Sequence, residues 1–417
     1  MKIEPSRLNA EDSSIGSMKV AIVTSHPVQY QAPLYRALAR RGIAITVMFG
    51  ARWGVQAMRE PGFGVELRWD RPLLHGYDYR FLRNWGLGVA ALGGPRLNAL
   101  APFNPGIVPQ LLRGGFDVVL VHGWSSLTNW LAMLTALAAR IPLVLRGETW
   151  QSEHKSRWRR SLLAALLNRV AAFAAVGSRN TGFYLRAGVP ADKIFLAPYS
   201  VDSTFFASAA KTTLATRPER RRRAGIEPEE LVVLFSGKLV ERKNPLIVVD
   251  AIARCARKAR MVMLAVGDGE LRAALMQAAD RMGVRLRIAG FKNQSALPAM
   301  YALADVIVLP SPVEPWGLVI NEAMYFGLPA IVTDAVGASA DLVQDSVTGF
   351  VVATGDAEQL AARLDLLAAD PELARRMGQA ARNRIAGWGI PEAAAGIEAA
   401  CRYACSRRSA AGEECAA

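Results

Sequence analysis

Two glutamates eight positions apart mark the most informative stretch of the chain, Leu309-Pro-Ser-Pro-Val-Glu-Pro-Trp-Gly-Leu-Val-Ile-Asn-Glu-Ala-Met-Tyr-Phe-Gly327. Pro315 biases Glu314 away from helical backbone angles and so assigns it to a loop. A helix then begins near Gly317-Leu318 and carries Glu322 about one turn in. Its first turn leaves amide donors without intrahelical partners, at the positive end of the helix dipole, a setting that holds phosphate. A carboxylate beside such a terminus can accept bonds from sugar or ribose hydroxyls. Taken alone, the two acids also read as surface carboxylates favouring a helix N-terminus.

A second stretch, Leu231-Val-Val-Leu-Phe-Ser-Gly-Lys-Leu-Val-Glu-Arg-Lys-Asn-Pro245, reads as an apolar strand ending at Gly237 and a loop bearing Lys238 and Lys243. Asn244-Pro245 reads as an N-cap and first helical residue. Both ammonium groups then lie at the carboxyl edge of a sheet, where they can neutralise a diphosphate. Solvated lysines are the competing reading, although the chain has only nine lysines and two fall here. Ala265-Val-Gly-Asp-Gly-Glu-Leu271 lacks GxGxxG spacing and reads as turn geometry. Ile288-Ala-Gly-Phe-Lys-Asn293 is another strand-end loop, from which Phe291 and Lys292 can reach a base. In the first half, His122 follows the buried run of Phe116-Asp-Val-Val-Leu-Val-His-Gly-Trp124; a histidine at a strand end is also commonly structural. Thr24-Ser-His-Pro-Val-Gln-Tyr-Gln-Ala-Pro33 and Arg146-Gly-Glu-Thr-Trp150 follow two further strands. They offer His26, Gln29, Tyr30 and Glu148 to a substrate pocket.

The elements that position these residues form a repeated pattern. Short runs rich in Val and Ile alternate with longer helical patterns, the signature of parallel sheets with crossover helices. The first set of strands lies near Lys19–Ser25, Ala44–Phe49, Asp117–Val121, Leu143–Arg146, Ala171–Val176 and Ile194–Ala197. The second lies near Leu231–Ser236, Met261–Val266, Arg285–Ala289, Asp305–Leu309, Ala330–Thr333 and Gly349–Val352. The fold class is therefore α/β, two doubly wound domains whose strand ends flank a ligand cleft. The expected division is a disordered tail 1–17, an N-terminal domain 18–205, a linker and lead-in helix 206–228, and a C-terminal domain 229–386. A last helix 387–404 and a disordered tail 405–417 complete it.

Composition sets the remaining bounds. With 417 residues, 52% hydrophobic and 21% charged, the chain forms real cores and is not a disordered polypeptide. Lys and Arg total 50 against 36 acids, and the net charge of +14 points to anionic partners. Four cysteines without a CxxC pair, three of them in the last 17 residues, exclude a disulfide framework and a zinc site and fit a reducing cytoplasm. The four histidines make no ligand motif, so no protein-held metal is expected. The polar start lacks a signal-peptide core, and Met18 is an alternative start. The uncharged stretch Val118–Ala139 reads as strand, polar loop and helix rather than a membrane span. Lys155–Arg169 begins basic and turns apolar, fitting either an anionic bilayer surface or a core-facing helix with a solvated first turn. Arg220–Arg223 has no interleaved aromatics, which argues against nucleic acid.

Together these segments resemble glycosyltransferase family 4, retaining enzymes with the GT-B fold of two facing Rossmann-like domains. The resemblance runs from about Lys19 to Ala404. It rests on Glu314…Glu322, on Gly-Lys-Leu…Arg-Lys-Asn, on Leu297-Pro-Ala-Met-Tyr-Ala-Leu-Ala-Asp-Val-Ile-Val-Leu-Pro310, and on Ala187-Gly-Val-Pro-Ala-Asp-Lys-Ile-Phe-Leu-Ala-Pro-Tyr-Ser-Val-Asp202. It implies that Lys238 and Lys243 bind a donor diphosphate, Lys238 standing where the family more often has Arg. Glu314 would meet the donor sugar hydroxyls, the amides near Gly317-Leu318 the diphosphate, Glu322 the ribose, and His122 the transferred sugar. The helix after Trp388 would cross back over the first domain. Two departures stand out: His26-Pro27-Val28-Gln29-Tyr30 replaces a commonly glycine-rich loop, and Tyr199-Ser200 replaces the usual Asn-Gly.

The resemblance implies a retaining, metal-independent transfer of sugar from a nucleotide diphosphate donor, a UDP- or GDP-sugar, to a hydroxyl of a glycan or lipid-linked acceptor. Such chemistry serves cell-surface polysaccharide or glycolipid synthesis in the cytoplasm, with possible attachment to the cytoplasmic face of the inner membrane through an anionic surface. The altered first loop leaves open a non-catalytic sugar-nucleotide-binding subunit, and a GT-B sugar-nucleotide epimerase is a third alternative.

Overall fold

The computed structural model describes residues 18–55, 58–60, 65–85, 102–150 and 157–414. In the first half the elements are β1 (Lys19–Thr24), α1 (Ala32–Arg40), β2 (Ala44–Phe49), an antiparallel pair β3 (Met58–Glu60) and β4 (Val65–Leu67), β5 (Asp78–Phe81) and α2 (Ile107–Arg113). There follow β6 (Val118–His122), α3 (Leu127–Ala138), β7 (Leu143–Arg146), α4 (Arg157–Asn168), β8 (Ala172–Ala175), α5 (Ser178–Arg186) and β9 (Ile194–Leu196). Seven strands form a parallel sheet in the order β5-β2-β1-β6-β7-β8-β9.

The second half contains α6 (Ser203–Ala215), α7 (Arg217–Arg223), β10 (Leu231–Ser236), α8 (Leu246–Arg254), β11 (Met261–Val266), α9 (Arg272–Met282), β12 (Arg285–Gly290) and α10 (Leu297–Tyr301). It continues with β13 (Val306–Leu309), α11 (Leu318–Tyr325), β14 (Ala330–Thr333), β15 (Gly349–Val352), α12 (Ala357–Ala369), α13 (Pro371–Ile385) and α14 (Ile390–Glu414). Its six strands run parallel in the order β12-β11-β10-β13-β14-β15. Both sheets are covered on both faces, so their central strands are apolar throughout: β6, β7, β10, β11 and β13 are buried almost residue for residue. Each order reverses once, between β1 and β6 and between β10 and β13, and a crevice opens at the carboxyl ends there.

Helix starts follow local chemistry. Ser126 caps α3 by accepting from Asn129 N, and Asp202 caps α6 by accepting from Phe205 N. The Val118–Ala139 stretch is indeed strand, loop and helix, and no helix among the described residues is long and apolar enough to cross a membrane.

Several expectations need correction. The 206–228 segment is two helices rather than a polar linker with one lead-in helix. Phe206 and Ala210 are buried in the second domain's core. Arg221 in the arginine run is also buried, because Asp305 accepts from its Nη1 at 2.8 Å and the Leu303, Glu227 and Glu230 carbonyls satisfy the rest of its fork. Asn244 is not an N-cap: it has left-handed φ of +49° and closes a 3-10 turn Glu241–Lys243, and α8 begins after Pro245. Strand β5 was not foreseen, because a half-polar strand on a sheet edge needs no apolar run. The last helix passes the expected stop at Ala404 and continues to Glu414. The 1–17 tail and the basic start of Lys155–Arg169 fall outside what is described, apart from the backbone of α4.

Two chain crossings join the domains, at Ser200–Asp202 and at Ala386–Gly389. Helix α14 then lies across α1 and the first sheet. Its Ile390, Ala393, Ala394, Ile397, Ala400, Cys401 and Ala404 complete the core behind β1, β2, β6 and β8.

Candidate active site

The cleft is lined from both sheets. On the second-domain side, Lys238 follows β10 and Glu314 follows β13, the neighbouring strand. Lys243 Nζ donates directly to Glu314 Oε2, Arg242 approaches the same oxygen at 3.9 Å and Ser311 Oγ at 3.5 Å. Lys243 is half-buried, which lowers its pKa, and Glu314 acts in the opposite sense. The glycine turn 265–271 braces this loop: Leu239 N donates to Asp268 O at 2.9 Å and Leu271 N to Leu239 O at 2.9 Å.

Helix α11 begins at Leu318 behind Gly317, whose φ is +98° and whose Cβ, if present, would stand 2.6 Å from Leu309. Only glycine fits there, and the first amides of α11 behind it have no partners within the helix. Glu322, one turn in, is 7% exposed and accepts from Tyr301 OH at 2.5 Å. Burial raises its pKa to about 7, partly offset by that bond. Phe291 and Lys292 follow β12, two strands from β10, and are half-buried beside Asn293, which donates to Arg68 O of the first domain at 2.6 Å.

Across the cleft, a cavity of about 320 Å³ opens at the ends of β1, β6 and β7. Ser25, His26, Tyr30, His122, Glu148 and Tyr199 are on its wall. Gln29 is not; its Oε1 is buried without a partner. His122 is the last residue of β6. Tyr35 OH gives its proton to Gln31 Oε1 at 2.8 Å and stands 3.3 Å from His122 Nε2, while Gln31 Nε2 lies 3.4 Å from Nδ1. We therefore assign the Nε2–H tautomer, with Gln31 donating to Nδ1. Burial, and then Arg146, push its pKa down to about 3, so the ring is neutral.

Four residues absent from the sequence-based site complete the architecture. Arg146 is 6% exposed, donates to Ala197 O at 2.7 Å and lies over the Tyr199 ring. Tyr199 OH donates to Glu148 and is 3.1 Å from Tyr30 OH. The Tyr199 ring stacks on Trp316 at 6.0 Å, and Trp316 on Trp388 at 5.7 Å, so the Glu314–Gly317 loop is clamped between the domains. Asp341 accepts from Ser178 N at 2.9 Å, close enough that a Cβ on Gly177 would collide with Trp316 and Asp341. The Arg146-Gly-Glu and Tyr199-Ser motifs were visible in sequence; their meeting was not. Among the described residues no three His, Cys, Asp or Glu side chains cluster as a metal site.

Two family models match in chain order: glycosyltransferase family 4 over residues 29–205 and glycosyl transferases group 1 over residues 216–384. A D-inositol 3-phosphate glycosyltransferase of Xylanimonas cellulosilytica is 28% identical over 403 residues, 91% of this chain and 92% of its own. An alpha-D-kanosaminyltransferase of Streptomyces kanamyceticus is 31% identical over 197 residues, 46% of this chain, and the match spans half of that relative's length. Among solved structures, Anabaena Alr3699/HepE in complex with UDP and glucose superposes with a TM-score of 0.67 at 20% identity, covering 91% of this chain and 98% of that one. WaaG, a glycosyltransferase involved in lipopolysaccharide biosynthesis, gives 0.64 at 17%, covering 91% and 99%. The fold is thus GT-B, and with the two models falling one on each sheet the chain belongs to glycosyltransferase family 4.

Proposed function

We propose that the protein moves a sugar from a nucleotide diphosphate donor to a hydroxyl of a glycan or lipid-linked acceptor, with retention at the anomeric carbon. One observation carries this most directly: Lys243 and Glu314, the start of α11 and the buried Glu322 share one sheet edge, facing the His122 cavity. Departure of the nucleotide diphosphate builds negative charge. Lys238, Lys243 and the first amides of α11 stabilise it, which lets the reaction proceed without a metal ion. Lys243 is held by Glu314 until the donor arrives, and Glu314 then turns its oxygens to the sugar hydroxyls. Glu322 accepts from the ribose. Phe291 and Lys292 border the base.

The leaving diphosphate takes the proton of the incoming hydroxyl on the same face, which gives retention without a protein nucleophile. His122, neutral and held at both ring nitrogens, walls the transferred sugar rather than carrying its proton. His26, Tyr30 and Glu148 shape the acceptor side. The solved neighbour holding UDP and glucose supports a nucleotide sugar as donor, and the relative named for D-inositol 3-phosphate supports a hydroxyl-bearing acceptor.

The experiment is a thermal-shift screen against UDP-, GDP-, ADP- and CMP-sugars, followed by nucleotide release with candidate acceptors. A shift with one diphosphate series, lost in Glu322→Ala, is the expected result; no shift with any series refutes the donor site. Conversion of the nucleotide sugar alone would favour an epimerase, and binding without transfer a partner subunit. A lipid-linked acceptor further predicts sedimentation with anionic liposomes at low salt, and failure to sediment removes the membrane from the scheme.

A further inference from the structure

Arg146 and Glu148 both stand on the wall of the first-domain cavity, and they are not equally available. Arg146 is buried, its guanidinium committed to Ala197 O and laid over the Tyr199 ring. Glu148, by contrast, is exposed to the cleft. One of its oxygens takes the Tyr199 hydroxyl; the protein around it desolvates the carboxyl and raises its pKa, a rise that the Tyr199 bond and Arg146 oppose. His122 is neutral, with its pKa near 3, and His26 is engaged by Ser25 Oγ at 2.9 Å. Lys243, across the cleft, is spent on Glu314, and Glu314 itself acts on Glu148 as a second negative charge.

An anion entering this cavity would therefore meet a carboxylate, with another carboxylate and the donor diphosphate close by. Among the described residues no open cation stands on the wall to receive it. A hydroxyl group finds the opposite situation, because the carboxyl oxygens accept bonds from it in either protonation state and no like charge opposes its approach. The carboxylate is also held in place. Tyr30 and Tyr199, one from each of the two segments that depart from the family pattern, meet with their rings 5.4 Å apart and their hydroxyls in hydrogen-bond contact. Tyr199 then fixes Glu148, so the two departures form one built unit.

We propose that Glu148, positioned by Tyr199 and Tyr30, selects an uncharged polyol as the acceptor group and turns away acceptors bearing a phosphate or carboxylate on the reacting unit. The proposal rests on the transferase reading above and deepens it.

The test uses the full chain, the nucleotide sugar found in the thermal screen, and acceptor pairs that differ in charge: myo-inositol with its monophosphate, glucose with glucose 6-phosphate, glycerol with glycerol phosphate. Release of nucleotide is expected to be at least about tenfold faster with the uncharged member at equal concentration. Glu148→Gln should raise the acceptor KM about tenfold and narrow the preference, with the donor KM changed less than about twofold. Tyr199→Phe should act in the same direction, since the ring remains while the bond to Glu148 goes. Faster turnover of the charged member, or a preference unchanged in Glu148→Gln, overturns the proposal and leaves the transferase reading standing. Turnover of no pair by a protein whose melting still responds to the nucleotide sugar overturns both.

Discussion

Glu322 makes the donor site a pH-sensitive one. In the folded chain its pKa rises from 4.5 to about 7 because burial disfavours the charged form, against the opposing effect of the Tyr301 hydrogen bond. Between those two values the unfolded chain has lost this proton while the folded chain keeps it, so stability falls as pH rises through 7. The full cost above pH 7 is about 3 kcal/mol, the rise multiplied by 1.36 kcal/mol per pH step. Ribose hydroxyls donate to a carboxylate, so nucleotide binding favours the ionised form and must expel the proton when the pH is low. Affinity for a nucleotide sugar should therefore increase up to about pH 7 and then level off. At pH 5.5 the penalty is about 2 kcal/mol, or roughly thirtyfold in Kd. Calorimetry at pH 5.5 and 8, in two buffers of different ionisation heat, measures both the affinity and the proton released. A nucleotide sugar is used because its phosphates do not titrate in this range, whereas a terminal phosphate does. Glu322→Gln should remove the pH dependence and weaken binding at pH 8 by about 1–3 kcal/mol. Equal affinity at the two pH values with no proton release would refute the argument, as would a wild-type pH dependence surviving in the Gln variant.

Other perturbations separate the remaining parts. Lys243→Ala deletes a charge at the leaving group and should lower kcat by about a hundredfold, whereas Lys238→Arg keeps the charge and should cost less than about tenfold; equal constants for Lys243→Ala and the parent protein defeat the assignment. Asp305→Ala strands the buried Arg221 and should cost about 3–5 kcal/mol in urea unfolding, while Glu219→Ala, at an exposed pair with Arg223, should cost less than about 0.5 kcal/mol. Because His122 is neutral above about pH 3, kcat/KM should show no imidazole limb between about pH 5 and 8. Gln31→Glu should introduce one, since a carboxylate facing the ring stabilises its charged form.

Much of the architecture is written in local pattern. Alternating apolar strands and helices specify two parallel sheets, and a strand end fixes which edge a loop occupies. Lys243 and Glu314 therefore meet as their positions require, although they stand 71 positions apart in the chain. What was illegible depends on partners distant in sequence. Arg221 looks solvated until Asp305 and three carbonyls close around it. Asn244 carries the N-cap signal, yet a left-handed turn uses the same side chain equally well. Tyr30, Glu148 and Tyr199 lie on three separate loops, and only the register of β1, β7 and β9 within one sheet brings them together.

Helix α14 also sets the order in which the protein can be made. Ile390, Ile397 and Ala404 complete the apolar layer behind β1, β6 and β8, strands that leave the ribosome far earlier. The roughly 190 residues between Leu196 and Ile390 take about 10–40 s to synthesise, and throughout that time one face of the first sheet is only partly covered, by α1 through Leu34, Tyr35 and Leu38. The N-terminal domain is thus finished last although its strands emerge first. A nascent chain of this topology depends on rapid synthesis of its second half, or on a chaperone that occupies the place of α14 until the helix arrives.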